Sequence, residues 1–376
     1  MDSARTTTTS CWFVAQTVGG ALILAALLGA GLASQDVQVG GVPTPLPGIP
    51  VPLPEGPTLA WTVDIPAAPL TSPLIAGGRV FVAHPPGIIT GYHDGRELWR
   101  TSLATDLPLA AHDELVLVSS SDAIHALRAA DGSPAWRTPA GKPTAPLLVK
   151  DGWVITATAD TITALRASDG ATVWTAEAGV QRQRGAISGD VLFTPHVDGH
   201  VVARDLLTGK VKWTSPIGGV AGEPFVLGED MFVGSGDKRF YCLKAVSGEI
   251  DWQVRVGADI RGVAASDGDR IFFAALDNLV RAVDRTHGGL RWQTGLPFRP
   301  LMGPVISGGS LFISGPQTEM RRLRTTDGKD AGVIRFPDKQ MAVSPGFAPT
   351  EAGIVFAAVT GGHAQTWKLS LTFPLR

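Results

Sequence analysis

Seven tryptophans recur along the chain at nearly constant spacing, and this spacing constrains the fold more than any other feature. The steps between them are 38, 37, 38, 39, 39 and 40 residues. The tryptophans in phase are Trp61, Trp99, Trp136, Trp174, Trp213, Trp252 and Trp292. One further step of 40 residues reaches Gly332, where the preceding turn glycine Gly328 is kept but the tryptophan is lost. Such a period indicates repeated copies of one supersecondary unit.

Each unit reads as four short strands. In one unit, "TAPLLVK", "WVITATA", "TITALRA" and "ATVWTAEA" are separated by turns at Asp151-Gly152, near Asp160 and at Asp169-Gly170. Short runs rich in β-branched residues between Gly and Asp turns are typical of antiparallel hairpins. The 45 glycines and 28 prolines of the chain supply enough turns for many such strands. A repeat of about 40 residues with four strands predicts one blade of a β-propeller.

The two ends of the chain decide the number of blades. Seven units end at Trp99, Trp136, Trp174, Trp213, Trp252, Trp292 and Gly332, and only three strands follow, in "AVSPGFAP", "GIVFAAVT" and "QTWKLSL". The segment "TLAWTVDI" is a single strand at the start, with Trp61 in phase. We therefore predict an all-β, eight-bladed β-propeller over residues 58–376. Its blades are four-stranded and antiparallel, and an N-terminal strand closes the last one, which removes free sheet edges.

Two other positions of the unit are restricted to small residues. With tryptophan as position 11, position 7 is always glycine: Gly95, Gly132, Gly170, Gly209, Gly248, Gly288 and Gly328. Position 1 is small in five units: Ala126, Ala164, Ala203, Cys242 and Ala282. The glycine permits a turn with positive φ, and we expect position 1 to leave room for an indole from an adjacent blade. We interpret the seven tryptophans as structural docking residues rather than as ligand-stacking residues. Cys242 reads as a buried small residue, not a nucleophile.

The N-terminal part of the chain differs in composition from the repeats. Residues 1–10 form a short tail, and residues 11–33 contain no formal charge. This stretch is long enough for a transmembrane anchor, but the small residues Gly31 and Ala33 at its end also fit a cleaved signal peptide. Either alternative exports the remainder to the periplasmic side of a membrane. Cys11 precedes the apolar run, so lipid attachment there is not supported. Residues 34–57 are rich in proline and predict a stiff stalk.

The repeat resembles that of a known family. "ALRAADGSPAW" (126–136), "ALRASDGATVW" (164–174) and, more loosely, "ARDLLTGKVKW" (203–213) are similar to the tryptophan-docking repeat of the pyrroloquinoline-quinone propeller family. The similarity covers roughly residues 58–372 and is specific for the fold. Within the family, an exported eight-bladed propeller with short loops is most similar to BamB of the outer-membrane β-barrel assembly machine. That resemblance implies a scaffold without catalysis, cofactor or metal.

Few residue patterns suggest chemistry. The net charge of −2 and the absence of basic runs argue against a nucleic-acid partner. The segment "HVDGH", from His196 to His200 around Asp198, is the nearest approach to a metal motif. A Zn²⁺ site needs three or four ligands. The alternative interpretation is that both histidines are solvated residues of a turn and bind no metal. The chain shows no Ser-His-Asp order, phosphate-binding glycine loop or paired carboxylates.

The connectors between blades contain the candidate interaction residues. "AGVQRQRGA", "VGADIRGVA" and "GLPFRPLMG" place Arg182, Arg184, Arg261 and Arg299 near the start of the innermost strands. We expect a partly electropositive rim around the central funnel, suited to acidic loops or extended segments of a partner. Local pairing of these arginines with Glu223, Asp259 or Glu177 is the alternative.

Three functions follow as hypotheses. The first is a membrane-tethered scaffold for envelope proteins, including the β-barrel assembly machinery, in which the propeller is monomeric within a complex. The second is a dehydrogenase that uses pyrroloquinoline quinone, but the long insertions and Ca²⁺ ligands that such enzymes imply are not visible. The third is a ligand-sensing ectodomain, which would have to signal through a partner.

Overall fold

The computed structural model describes residues 57–69, 71–300, 302–315, 319–335, 342–350, 353–361 and 367–374. Within these ranges the chain forms eight four-stranded antiparallel sheets, which confirms the predicted eight-bladed propeller. No helix within them is long and apolar enough to span a membrane. The predicted tail, the apolar segment and the proline-rich stalk as far as residue 56 lie outside the described residues.

Blades 1 to 7 are each built from four consecutive strands, ordered from the innermost to the outermost. The strands of blades 1 to 4 are β2 Leu74–Ala76, β3 Arg79–His84, β4 Ile88–His93, β5 Arg96–Ser102, β6 Ala110–His112, β7 Leu115–Ser119, β8 Ala123–Arg128, β9 Pro134–Pro139, β10 Leu148–Lys150, β11 Trp153–Ala157, β12 Thr161–Arg166, β13 Thr172–Glu177, β14 Ala186–Ser188, β15 Val191–Pro195, β16 His200–Asp205 and β17 Val211–Pro216. Those of blades 5 to 7 are β18 Phe225–Leu227, β19 Asp230–Gly234, β20 Arg239–Lys244, β21 Ile250–Arg255, β22 Ala265–Ser266, β23 Arg270–Ala275, β24 Leu279–Asp284, β25 Leu290–Gly295, β26 Val305–Ser307, β27 Ser310–Ser314, β28 Glu319–Arg324 and β29 Asp330–Arg335.

Blade 8 joins the two ends of the propeller chain. Its inner three strands are β30 Ala342–Thr350, β31 Gly353–Gly361 and β32 Trp367–Pro374, and its outer strand is β1 Pro57–Ile65. Strand β1 pairs antiparallel with β32, from Pro57 opposite Pro374 to Ile65 opposite Trp367. The predicted closure by the N-terminal strand is therefore confirmed.

The strand order defines two faces of the propeller. Because strands alternate in direction, the second-to-third turns and the connectors between blades share one face, here called the connector face. The first-to-second and third-to-fourth turns share the opposite face, here called the turn face. Every outermost strand runs from the turn face to the connector face. Since β1 is the outermost strand of blade 8, Pro57 lies on the turn face.

Indoles tie successive blades together through backbone hydrogen bonds. In six cases the indole Nε1 donates to a carbonyl oxygen of the next blade, over distances of 2.7 to 3.0 Å. The pairs are Trp99 with Ala129, Trp136 with Ala167, Trp174 with Leu206, Trp213 with Ala245, Trp252 with Arg285 and Trp292 with Thr325. The acceptor always precedes the turn glycine by three residues, so the third-to-fourth turn of one blade receives the indole of the blade before it.

The turn glycine meets two requirements at once. Gly170 has φ of +71°, and a Cβ added there would lie 2.4 Å from Cε3 of Trp136. Its equivalents face the preceding tryptophan in the same way, for example Gly209 against Trp174 at 2.6 Å. The small residue at position 1 has a different neighbour from the one we predicted. Ala164 lies opposite Trp174 of its own blade, so position 1 makes room for that blade's own indole.

The closure also explains why Gly332 replaces a tryptophan. An indole at this position would dock on the third-to-fourth turn of blade 8. Blade 8 lacks that turn, because its third strand β32 ends the propeller chain and its fourth strand β1 begins it. An indole at position 332 would therefore lack the turn carbonyl that accepts the hydrogen bond in the other blades. Arg322 lies opposite Gly332, where other blades pair a small residue with tryptophan.

Candidate functional site

A depression on the connector face brings three connectors together. It is lined by Arg182 and Gln183 from the blade 3–4 connector, residues 218–222 from the blade 4–5 connector, Gly236 and Asp237 from blade 5, and residues 259–261 from the blade 5–6 connector. Its volume is about 820 Å³, which includes open space at its mouth. We call it the connector depression. Val220 also lines it and is 50% exposed.

The structure separates the four predicted arginines. Arg182 and Arg261 both line the connector depression. Arg261 is 65% exposed and lies 3.4 Å from Asp259, so its charge is partly paired. Arg299 is exposed on the next connector and is not part of the lining.

Arg184 does not contribute to an exposed rim, and the prediction for this residue is wrong. It is buried, its Nε donates to the carbonyl oxygen of Leu147 at 3.0 Å, and its Nη1 lies 3.5 Å from a carboxylate oxygen of Glu223. Burial raises the pKa of Glu223, and the Arg184 charge offsets part of this effect. By strand register, Arg184 is equivalent to Val263 rather than to Arg261. Its partner Glu223 is a largely buried carboxylate on a neighbouring connector. The local pairing that we considered as the alternative is therefore found for Arg184 with Glu223 and for Arg261 with Asp259.

Glycines shape one wall of the depression. A Cβ added at Gly219 would lie 2.5 Å from the backbone nitrogen of Asp237, so only glycine allows this close approach. Asp237 accepts hydrogen bonds from the Tyr241 hydroxyl at 2.5 Å and from Arg239 Nη1 at 2.9 Å. Burial and Asp237 together raise the pKa of Tyr241 to about 12. Sequence reasoning missed Val220 and Asp237, although the glycine-rich run "IGGVAGE" indicated an unusual connector.

The two histidines of "HVDGH" occupy different environments. His196 is only 4% exposed, and its Nε2 lies 3.2 Å from the Thr194 hydroxyl. Burial lowers the pKa of His196 and favours the neutral imidazole. His200 is partly exposed and pairs with Asp198 at 3.2 Å. The expectation of two solvated histidines is therefore wrong for His196. No third ligand joins this segment among the residues that the structure describes.

One cluster in the described part of the chain has metal-ligand residue types. Asp230, Cys242 and Asp251 lie together in blade 5. Lys244 Nζ contacts both carboxylates at 2.9 Å, so their charges are already compensated. Cys242 is fully buried, opposite Trp252 in the neighbouring strand. A Ca²⁺ ion prefers six to eight oxygen ligands. Two carboxylates bound by lysine beside a thiol do not fit a calcium and quinone site.

We expect Cys242 to resist alkylation by iodoacetamide in the folded protein at about pH 8. Burial and the nearby carboxylates raise the pKa of its thiol to about 12, so the reactive thiolate is scarce below that pH. Mass measurement of the peptide that contains Cys242 checks this expectation. The same peptide should be labelled fully in denaturant. Rapid labelling without denaturant would show an accessible, activated thiol instead.

Comparison with known proteins agrees with this architecture. A family model described as "Outer membrane protein assembly factor BamB" matches residues 86–223 and 218–346, more than half of the chain. No curated protein matches the sequence.

Solved structures share the fold at low sequence identity. BamB from Moraxella catarrhalis has a TM-score of 0.65 and 17% identity, covering 84% of this chain and 99% of that chain. The computationally designed Ika8 protein has a TM-score of 0.65 and 13% identity, covering 86% and 98%. Quinohemoprotein alcohol dehydrogenase from Comamonas testosteroni has a TM-score of 0.67 and 11% identity, covering 86% and 77%. At these identities the likeness establishes the fold alone.

Proposed function

The chain belongs to the family of the outer membrane protein assembly factor BamB, and from this premise we propose that it is a non-catalytic scaffold for envelope proteins. Its finer role is to support the assembly of outer-membrane β-barrel proteins. The propeller is exported and acts as a single copy within a larger complex. The observation that carries the proposal is the connector depression, which presents cations and an exposed apolar side chain on one face.

The depression suits an extended acidic segment of a partner. Arg182 and Arg261 contribute positive charge to its lining, and Val220 contributes an exposed apolar side chain. Interfaces of this kind combine a small apolar centre with a polar rim, and arginine is favoured for binding carboxylates. Asp237 and Asp259 line the same depression, so its positive charge is confined to the surroundings of the two arginines and does not extend over the whole surface.

We expect reversal of the two charges to disrupt partner binding. A chain with Arg182→Glu and Arg261→Glu should retain β-barrel assembly proteins from an envelope extract at least about tenfold more weakly than the unchanged chain, because like charges across an interface repel. Arg100→Glu is the matched control, since Arg100 is 59% exposed on blade 1 and far from these connectors in sequence. The measurement is the amount of each assembly protein retained on the immobilised full chain.

Two outcomes would contradict the proposal. Equal retention of assembly proteins by all three chains would remove the connector depression from the interface. Reduction of a dye by the chain after incubation with pyrroloquinoline quinone and Ca²⁺ would contradict the non-catalytic role.

A further inference from the structure

An open groove separates blade 3 from blade 4 at their outer edge. Its floor is the face of blade 4 that carries His200, Arg204, Val211 and Thr214, and its wall includes Asp160 and Glu177 of blade 3. The volume is about 1310 Å³, including the open space at its mouth. We call it the blade 3–4 groove. It shares no lining residue with the connector depression.

Arg204 breaks the repeat at the floor of this groove. It occupies the position directly after the small residue Ala203. In other blades this position holds a buried apolar residue: Leu127, Leu165, Leu243, Val283 or Leu323. An arginine is rarely buried without a partner, so an exchange of leucine for arginine at a packed interface needs a physical reason.

The Arg204 guanidinium has only backbone partners. Its Nη1 donates to the carbonyl oxygen of Gly209 at 3.0 Å, and its Nη2 donates to that of Glu177 at 2.8 Å. The residue is 6% exposed, and its Nε is buried without a hydrogen-bond partner. Burial lowers the pKa of Arg204, and no carboxylate of the described residues pairs with it. The groove therefore contains a buried positive charge that the described chain does not neutralise.

A backbone contact alone does not require this charge. At two other blade junctions a threonine hydroxyl binds the turn glycine carbonyl: Thr138 to Gly170 at 2.6 Å and Thr294 to Gly328 at 2.7 Å. At the junction of blades 3 and 4, the residue equivalent to these threonines is Ala176, which has no hydroxyl to bind the carbonyl of Gly209. Arg204 Nη1 takes over this contact, but a neutral threonine performs it elsewhere. The positive charge of Arg204 remains to be explained.

The wall of the groove carries the opposite charge. Asp160 and Glu177 are exposed, and neither forms an ion pair among the described residues. A ligand that is complementary to the groove thus carries an anionic group that faces the floor and a cationic group that faces the wall. Strand β13, which contains Glu177, is the outermost strand of blade 3, so one of its edges is open to strand pairing.

We propose that the blade 3–4 groove binds an extended polypeptide segment that carries a carboxylate close to a basic residue. The carboxylate side chain meets the Arg204 guanidinium, and the basic side chain meets Asp160 or Glu177. The backbone of the segment lies along the open edge of β13. This site goes beyond the proposed function and does not depend on the connector depression.

The test uses variants that preserve the interblade contact. The double variant Ala176→Thr with Arg204→Leu restores the threonine contact and the apolar residue seen at other junctions, so it keeps the fold without the cation. Ala176→Thr alone is the matched control that keeps Arg204. The probe is a fluorescein-labelled, capped peptide of sequence Lys-Thr-Val-Glu-Val-Thr-Lys, compared with the same peptide in which glutamine replaces glutamate. Binding to the full chain is followed by fluorescence anisotropy.

We expect the unchanged chain and Ala176→Thr to bind the glutamate peptide alike. The double variant and the glutamine peptide should each bind at least about tenfold more weakly. Equal binding by the double variant, or no binding by the unchanged chain, would overturn the proposal and leave Arg204 as an interblade tie. Displacement of the peptide by acetate or phosphate at comparable concentration would assign the groove to small anions and would likewise overturn the peptide site.

Discussion

Replacement of Trp174 by alanine is expected to lower the free energy of unfolding by about 3–5 kcal/mol. The indole is 9% exposed, and its Nε1 donates to the carbonyl oxygen of Leu206 at 2.7 Å. Alanine leaves a cavity at the blade 3–4 interface and removes the donor that Leu206 binds. Equilibrium unfolding in urea measures the loss.

The neighbouring residue Val173 provides the control for this substitution. It lies on the same strand but is 44% exposed, so Val173→Ala should change the free energy of unfolding by less than about 1 kcal/mol. If Trp174→Ala destabilised the protein no more than Val173→Ala does, the indoles would not be the contacts that stabilise the packing of adjacent blades.

The second large effect is expected from Gly170→Ala, which should destabilise the protein by about 2–5 kcal/mol. About 1–2 kcal/mol arises because φ is +71°, a conformation that alanine adopts only with strain. A further 1–3 kcal/mol, roughly, arises from overpacking, because the new Cβ would lie 2.4 Å from Cε3 of Trp136. Urea unfolding again provides the measurement.

Gly152→Ala separates these two contributions. Gly152 has φ of +80°, but a Cβ added there meets nothing within 4 Å. This variant should therefore show only the backbone contribution of about 1–2 kcal/mol. Similar losses for both variants would mean that the indole shifts without penalty and that the glycine serves the turn alone.

The site residues were less predictable than the blades. The connectors were identified correctly as the longer loops, and Arg182 and Arg261 do line a depression between them. Arg184 was assigned to the same rim, but it turns inward to Leu147 and Glu223. Arg182 and Arg261 are equivalent by strand register, and Arg184 lies two residues further along its connector. The groups that bury Arg184 come from neighbouring connectors.

The same reasoning applies to the blade 3–4 groove. Arg204 was visible in "ARDLLTGKVKW" as a looser match to the repeat, and its departure from leucine was a signal that sequence reasoning did not use. Its partners, Gly209 and Glu177, belong to two different blades. The burial of its charge becomes apparent only when those blades are placed together.

Local sequence patterns were sufficient to predict the number of blades, their four-strand order and the closure by the N-terminal strand. These properties follow from local patterns, because turn glycines and in-phase tryptophans repeat wherever the same packing is required. Which charged side chains are buried and which are open to a partner depends on how the blades pack against one another. The environment of a charge depends on groups from other blades, such as the carbonyl of Leu147, 37 residues from Arg184, and no repeat position encodes that distance.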